Sequence, residues 1–150
     1  MVERTTGRAA AARRHPVRTA AAVVGAVFLL VGLLGFIPGV TTNYDQLSFG
    51  HDSGAMLLGL FRVSVLHNLV HLAFGIAGVA LARRVASSRK YLIGGGGIYA
   101  LLWLYGMIVP HDAPTNFVPV NWPDNWLHFV LAIGMIALGV TLGRRGENGR

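Results

Sequence analysis

His67-Asn68-Leu69-Val70-His71 is a polar cluster inside an otherwise apolar run, and Asn125-Trp126-Leu127-His128 echoes it later in the chain. After each, the sequence is apolar and rich in small residues and then turns basic. Leu72 to Ala82 precedes Arg83-Arg84, and Phe129 to Gly143 precedes Arg144-Arg145. A polar side chain carried into an apolar medium costs free energy unless it finds a partner. Imidazoles and amides in such runs therefore mark either a helix contact or a site. The echo points to a chain built twice from one helix-loop-helix unit.

Composition sets the solvent. The 150 residues are 53% hydrophobic and only 13% charged, with a mean hydropathy of +0.54. Soluble domains carry about 25% charged residues, so the balance points to a lipid bilayer as the chief partner. The net charge of +7 does not indicate nucleic acid, because the cations sit at the ends and in one short segment rather than along a face. Cysteine is absent, which excludes disulfides, thiolate metal sites and cysteine nucleophiles.

Four spans are expected. Residues 1–18 hold Arg4, Arg8, Arg13, Arg14 and Arg18 without large apolar residues, and read as a disordered basic tail. Neither a twin-arginine signal at Arg13-Arg14 nor a cleaved leader fits well, because the apolar run Thr19–Ile37 exceeds the usual h-region of about 7–15 residues. It reads as the first crossing, ended by Pro38-Gly39. The second apolar run, Gly54–Ala82, is divided by Arg62. Residues 54–61 are expected at the interface and 63–82 across the membrane, with Arg62 snorkelling or paired to a loop carboxylate. Arg83–Lys90 reads as a basic loop. The third helix is expected over Tyr91–Val109 and the fourth over Trp126–Gly143, leaving a polar tail at 144–150. Residues 19–143 thus form an all-α, four-helix transmembrane bundle of two parallel helical hairpins.

Loop charge orients the bundle. The N-terminus, the 83–90 segment and the C-terminus are basic, whereas residues 40–53 and 111–125 contain no Lys or Arg. The positive-inside rule then places both termini in the cytoplasm of a multi-pass cell-membrane protein.

The repeat extends beyond the polar cluster. Asn68-Leu69-Val70-His71 aligns with Asn125-Trp126-Leu127-His128, Ala80-Leu81 with Ala137-Leu138, and Gly35-Phe36-Ile37 with Gly106-Met107-Ile108. Units of two crossings insert in the same direction, related by an axis along the membrane normal. The phrases HNLVHLAFGIAGVALAR (67–83), GFIPGVTTNYD (35–45) and NFVPVNWPDNWLHFVLAIGMIALG (116–139) together resemble the DUF4383 family over residues 18–143. That resemblance implies a small four-helix membrane protein and implies no activity.

The chemistry of the clusters leaves several readings open. His67 and His71 are four apart and share a helical face. Ser64, His67, Asn68, His71, Asn125 and His128 could join the helices through one hydrogen-bonded network, with Asp124 capping the fourth helix. On that reading the protein is a scaffold or accessory subunit, alone, as a homo-oligomer, or within a larger membrane complex. Alternatively His71 and His128 could hold haem b axially, or His67, His71 and His128 a divalent metal, in a redox or proton-transfer protein. A proton relay, or a pocket for a quinone or lipid, uses the same residues. No catalytic set is evident, and Ser64 lacks an acidic third partner, so an enzyme is not expected. The pairs His51-Asp52 and His111-Asp112 read as solvated loop polarity.

Overall fold

The computed structural model describes residues 15–111, 118 and 120–147. Those residues form four helices: α1 (Pro16–Leu34), α2 (Val65–Leu81), α3 (Val85–Ile108) and α4 (Trp122–Glu147). Between α1 and α2 lies a small antiparallel sheet of β1 (Thr41–Thr42), β2 (Met56–Leu57) and β3 (Phe61–Arg62), in that spatial order. The helices pack as pairs, α1 on α2 and α3 on α4. The pairs meet through α1 against α3 and α4, and through α2 against α3.

Each helix begins and ends for a local reason. Pro16 occupies the first turn of α1, where its missing N–H would have had no helical partner. Ser64 caps α2, its hydroxyl accepting the His67 N–H at 3.1 Å. At the other end of α2, Arg18 Nε donates to the Ala82 carbonyl at 2.9 Å and Ser87 Oγ to the Leu81 carbonyl at 2.8 Å. These bonds satisfy acceptors that a helix end leaves open.

The surface and interior are inverted relative to a water-soluble bundle. Val27 and Leu30 on α1, Ile76 on α2, Leu101 on α3 and Val130 on α4 are all exposed. The interior holds glycines at the helix contacts, the rings of Phe28, Tyr91 and Tyr99, and a few aliphatic side chains such as Leu92 and Met135. A β-carbon on Gly75 would lie 2.6 Å from the Leu29 nitrogen and 2.7 Å from the Gly25 carbonyl, so α1 and α2 touch there backbone to backbone. Close approach of this kind joins helices where lipid competes with any apolar side chain. Three helical stretches, Pro16–Leu34, Val85–Ile108 and Trp122–Gly143, are long and apolar enough to cross a membrane. The fourth, α2, is equally apolar but has 17 residues. At 1.5 Å per residue that is about 25 Å, roughly 5 Å short of a typical hydrocarbon core.

Three sequence expectations need correction. The fold is not purely helical, because residues 41–62 carry the sheet. The apolar run 54–82 does divide at Arg62, which ends β3 two residues before the α2 cap. The basic loop is a tight turn at 82–84, and Arg89 and Lys90 belong to α3, which starts six residues earlier than expected. α1 and α4 likewise start early, at Pro16 and Trp122. Most of the basic N-terminal tail, the expected loop residues 112–117 and 119, and residues 148–150 lie outside the described residues.

Candidate functional site

The N-terminal ends of α2 and α4 are built alike. Asn121 caps α4: its Oδ1 accepts the Asp124 N–H at 3.0 Å, and Asp124 Oδ2 accepts the Asn121 N–H at 3.1 Å. That reciprocal pair is a capping box, with Asp124 in its third helical position rather than at the cap itself. The same Asp124 oxygen accepts the Arg62 main-chain N–H at 2.9 Å, and Asn121 Nδ2 donates to the Leu60 carbonyl at 2.9 Å. The start of α4 is thereby fastened to β3. The Arg62 contact to Asp124 is made by backbone, and its Nε is buried without a partner among the described residues.

Below these caps the histidines converge. His71 and His128 are each the sixth residue after the first of their helix, about 9 Å in. Counted along their helices, the two stand equally far from the N-terminal end. They line one cavity of about 140 Å3 together with Ser64, Leu66, His67, Val70, Tyr99, Leu102 and Val118. The cavity sits between α2, α3 and α4, where α2 and α4 do not pack closely. Most of its wall is hydrocarbon and aromatic ring.

The rings around it form a continuous stack. His67 lies on His71 with centroids 4.2 Å apart and planes 9° from parallel. His71 meets Phe28 at 5.4 Å, Phe28 stacks on Tyr99 at 5.4 Å, and Tyr99 meets His128 at 5.3 Å. His71 Nδ1 lies 3.0 Å from the His67 carbonyl oxygen. A carbonyl only accepts, so Nδ1 carries the proton, and the neutral ring presents Nε2 as an acceptor. His128 has no such anchor; its Nδ1 is buried without a partner among the described residues.

The asparagines go elsewhere. Asn68 and Asn125 are fully buried, and neither side-chain amide has a hydrogen-bond partner among the described residues. The Asn68 amide occupies the place a β-carbon on Gly35 would take, and Asn125 does the same at Gly106. The candidate residues therefore divide into three sets: histidines with Ser64 on a cavity, amides on glycines, and Asp124 with Arg62 at the latch.

The metal expectation meets a geometric obstacle. An imidazole directs its lone pair in the plane of the ring, so two stacked, near-parallel rings cannot both aim at one ion. Consistent with this, no group of three or more His, Cys, Asp or Glu is arranged to hold a metal among the described residues. The cavity is small for haem: one of about 150 Å3 takes a benzene ring, and a porphyrin has four pyrroles around its iron. Of the loop pairs, His51 Nε2 lies 2.8 Å from Asp52 Oδ1 on the exposed surface. His111 Nε2 bonds the Gly106 carbonyl at 3.1 Å, and Asp112 lies outside the described residues. Tyr99 is a wall residue that was not among the candidate site residues read from the sequence. Its signal was spacing, since it follows Gly95 and Gly96 on the buried face of α3.

The family model described as a domain of unknown function, DUF4383, matches residues 18–141, and the chain belongs to that family. No curated protein and no solved structure matches it.

Proposed function

We propose that this member of the DUF4383 family is a non-enzymatic binding protein of the cell membrane, which takes a small, largely apolar molecule from the bilayer into the histidine-lined cavity. Its two hairpins are copies inserted in the same direction, with both termini in the cytoplasm. The carrying observation is the convergence of His67, His71 and His128 from two helices on one cavity whose wall is otherwise mostly apolar. Polar groups inside a membrane protein stand at equal depth for a reason, and here they leave room between them. The duplication draws support from Ser64, His67, Asn68 and His71, which stand at a constant offset from Asn121, Asp124, Asn125 and His128. Both caps and both amide-on-glycine contacts fall at matching places.

A scaffold held by a single His/Asn network draws less support, because the amides pack on glycines and not on imidazoles. Axial haem ligation draws none from a cavity the size of one six-membered ring. The test uses the full chain in nanodiscs with isotope-labelled histidine. An alkylbenzene added to the lipid should shift the ring signals of His67, His71 and His128. Leu102→Trp, which fills the cavity, should abolish the shift. Identical responses from the two proteins would remove the cavity from consideration.

A further inference from the structure

Granting that reading of the cavity, we infer that its ligand is a lipid-soluble phenol or hydroquinone, a flat ring with a hydroxyl and an apolar tail. Size comes first. At about 140 Å3 the space matches the cavity of about 150 Å3 that accepts benzene, so a single ring fits it. Shape is second. Four of the wall residues, His67, His71, Tyr99 and His128, present rings, and aromatic groups associate by offset stacking or edge-to-face contact. A planar guest meets more of that wall than a bent chain of equal volume.

Hydrogen bonding selects the substituent. His71 Nδ1 is committed to the His67 carbonyl, so Nε2 accepts and asks for a donor on the guest. Tyr99, whose ring ends in a hydroxyl, lines the same cavity. A guest hydroxyl serves both, donating to His71 Nε2 and accepting from the Tyr99 O–H. An ether or a quinone carbonyl offers no donor and leaves the His71 nitrogen unmet. The tail leaves beside Leu66 and Val70, which line the cavity and are also exposed on α2.

The experiment compares a para-alkylphenol, its methyl ether and the alkylbenzene of the same chain length, on the full protein in nanodiscs. Each affinity is corrected for partition of the compound into the lipid. The phenol should bind about two- to tenfold more tightly than its methyl ether, the fold-change of one neutral hydrogen bond, and at least as much more tightly than the alkylbenzene. His71→Phe keeps a ring in place but removes the acceptor, and should bring the phenol level with the methyl ether while alkylbenzene binding persists. Tyr99→Phe should narrow the preference of both over the alkylbenzene, and serves if the first variant does not fold. Equal affinities on the unaltered protein would overturn the phenol assignment and leave the cavity as a binding site. Failure of all three compounds to bind would overturn both.

Discussion

A methyl group added at Gly94 and one added at Gly96 meet opposite surroundings, although the residues are two apart in one glycine run. At Gly94 nothing lies within 4 Å of the added carbon; at Gly96 it would stand 2.9 Å from the Ala132 carbonyl oxygen and 3.0 Å from the Ile136 nitrogen. Backbone cannot step aside as a side-chain tip can. Gly96→Ala should therefore destabilise the protein by about 1–3 kcal/mol. Gly94→Ala should be neutral or stabilising by up to about 1 kcal/mol, since alanine favours helix. Unfolding of both variants in a mixed-micelle titration measures the difference, and equal losses would contradict the packing described here. α3 passes through the run Gly94–Gly97 unbroken. Spacing placed His67 and His71 on one face. It could not tell that their rings stack, because ring rotation depends on the His67 carbonyl and on Phe28 from another helix.

At the scale of elements, the fastening between β3 and α4 depends on one carboxylate. Asp124 Oδ2 receives the main-chain N–H of both Arg62 and Asn121. Asp124→Ala leaves two donors without their acceptor, at about 1–3 kcal/mol for each that stays buried. Arg62→Ala keeps the donor, because the bond is made by backbone, and should cost far less. Amide hydrogen exchange at Arg62 and Asn121 should accelerate in the first variant and remain slow in the second. Asn121→Ala, which removes the true cap, should cost about 1 kcal/mol. The role of Asp124 at the start of α4 was readable from its place before an apolar run. The strand it holds was not, because two-residue strands such as Phe61–Arg62 leave no alternation to detect. Nor was Asn121 as the cap, since Pro110 and Pro123 made the whole segment look like loop. Proline fits the first helical turn as well as it ends a helix.

For the whole molecule, composition carried the reading furthest. It depends on the solvent rather than on particular contacts, so lipid and water sort it without tertiary detail. What it could not reveal is the gap between α2 and α4, a product of how two helix pairs lean on each other through α1 and α3. The proposed orientation makes a direct prediction, helped by the absence of native cysteine. A single cysteine at Asp52 should react with a membrane-impermeant maleimide on intact cells, and one at Arg84 only after permeabilisation. The reverse pattern would invert the topology. The cavity mouth beside Leu66 and Val70 has a further consequence. A guest arriving there diffuses in two dimensions and is counted as a mole fraction of the surrounding lipid, not as a concentration in the buffer. An apparent dissociation constant quoted per volume of water should then rise in proportion as lipid is added at fixed protein, while the constant per lipid molecule stays the same.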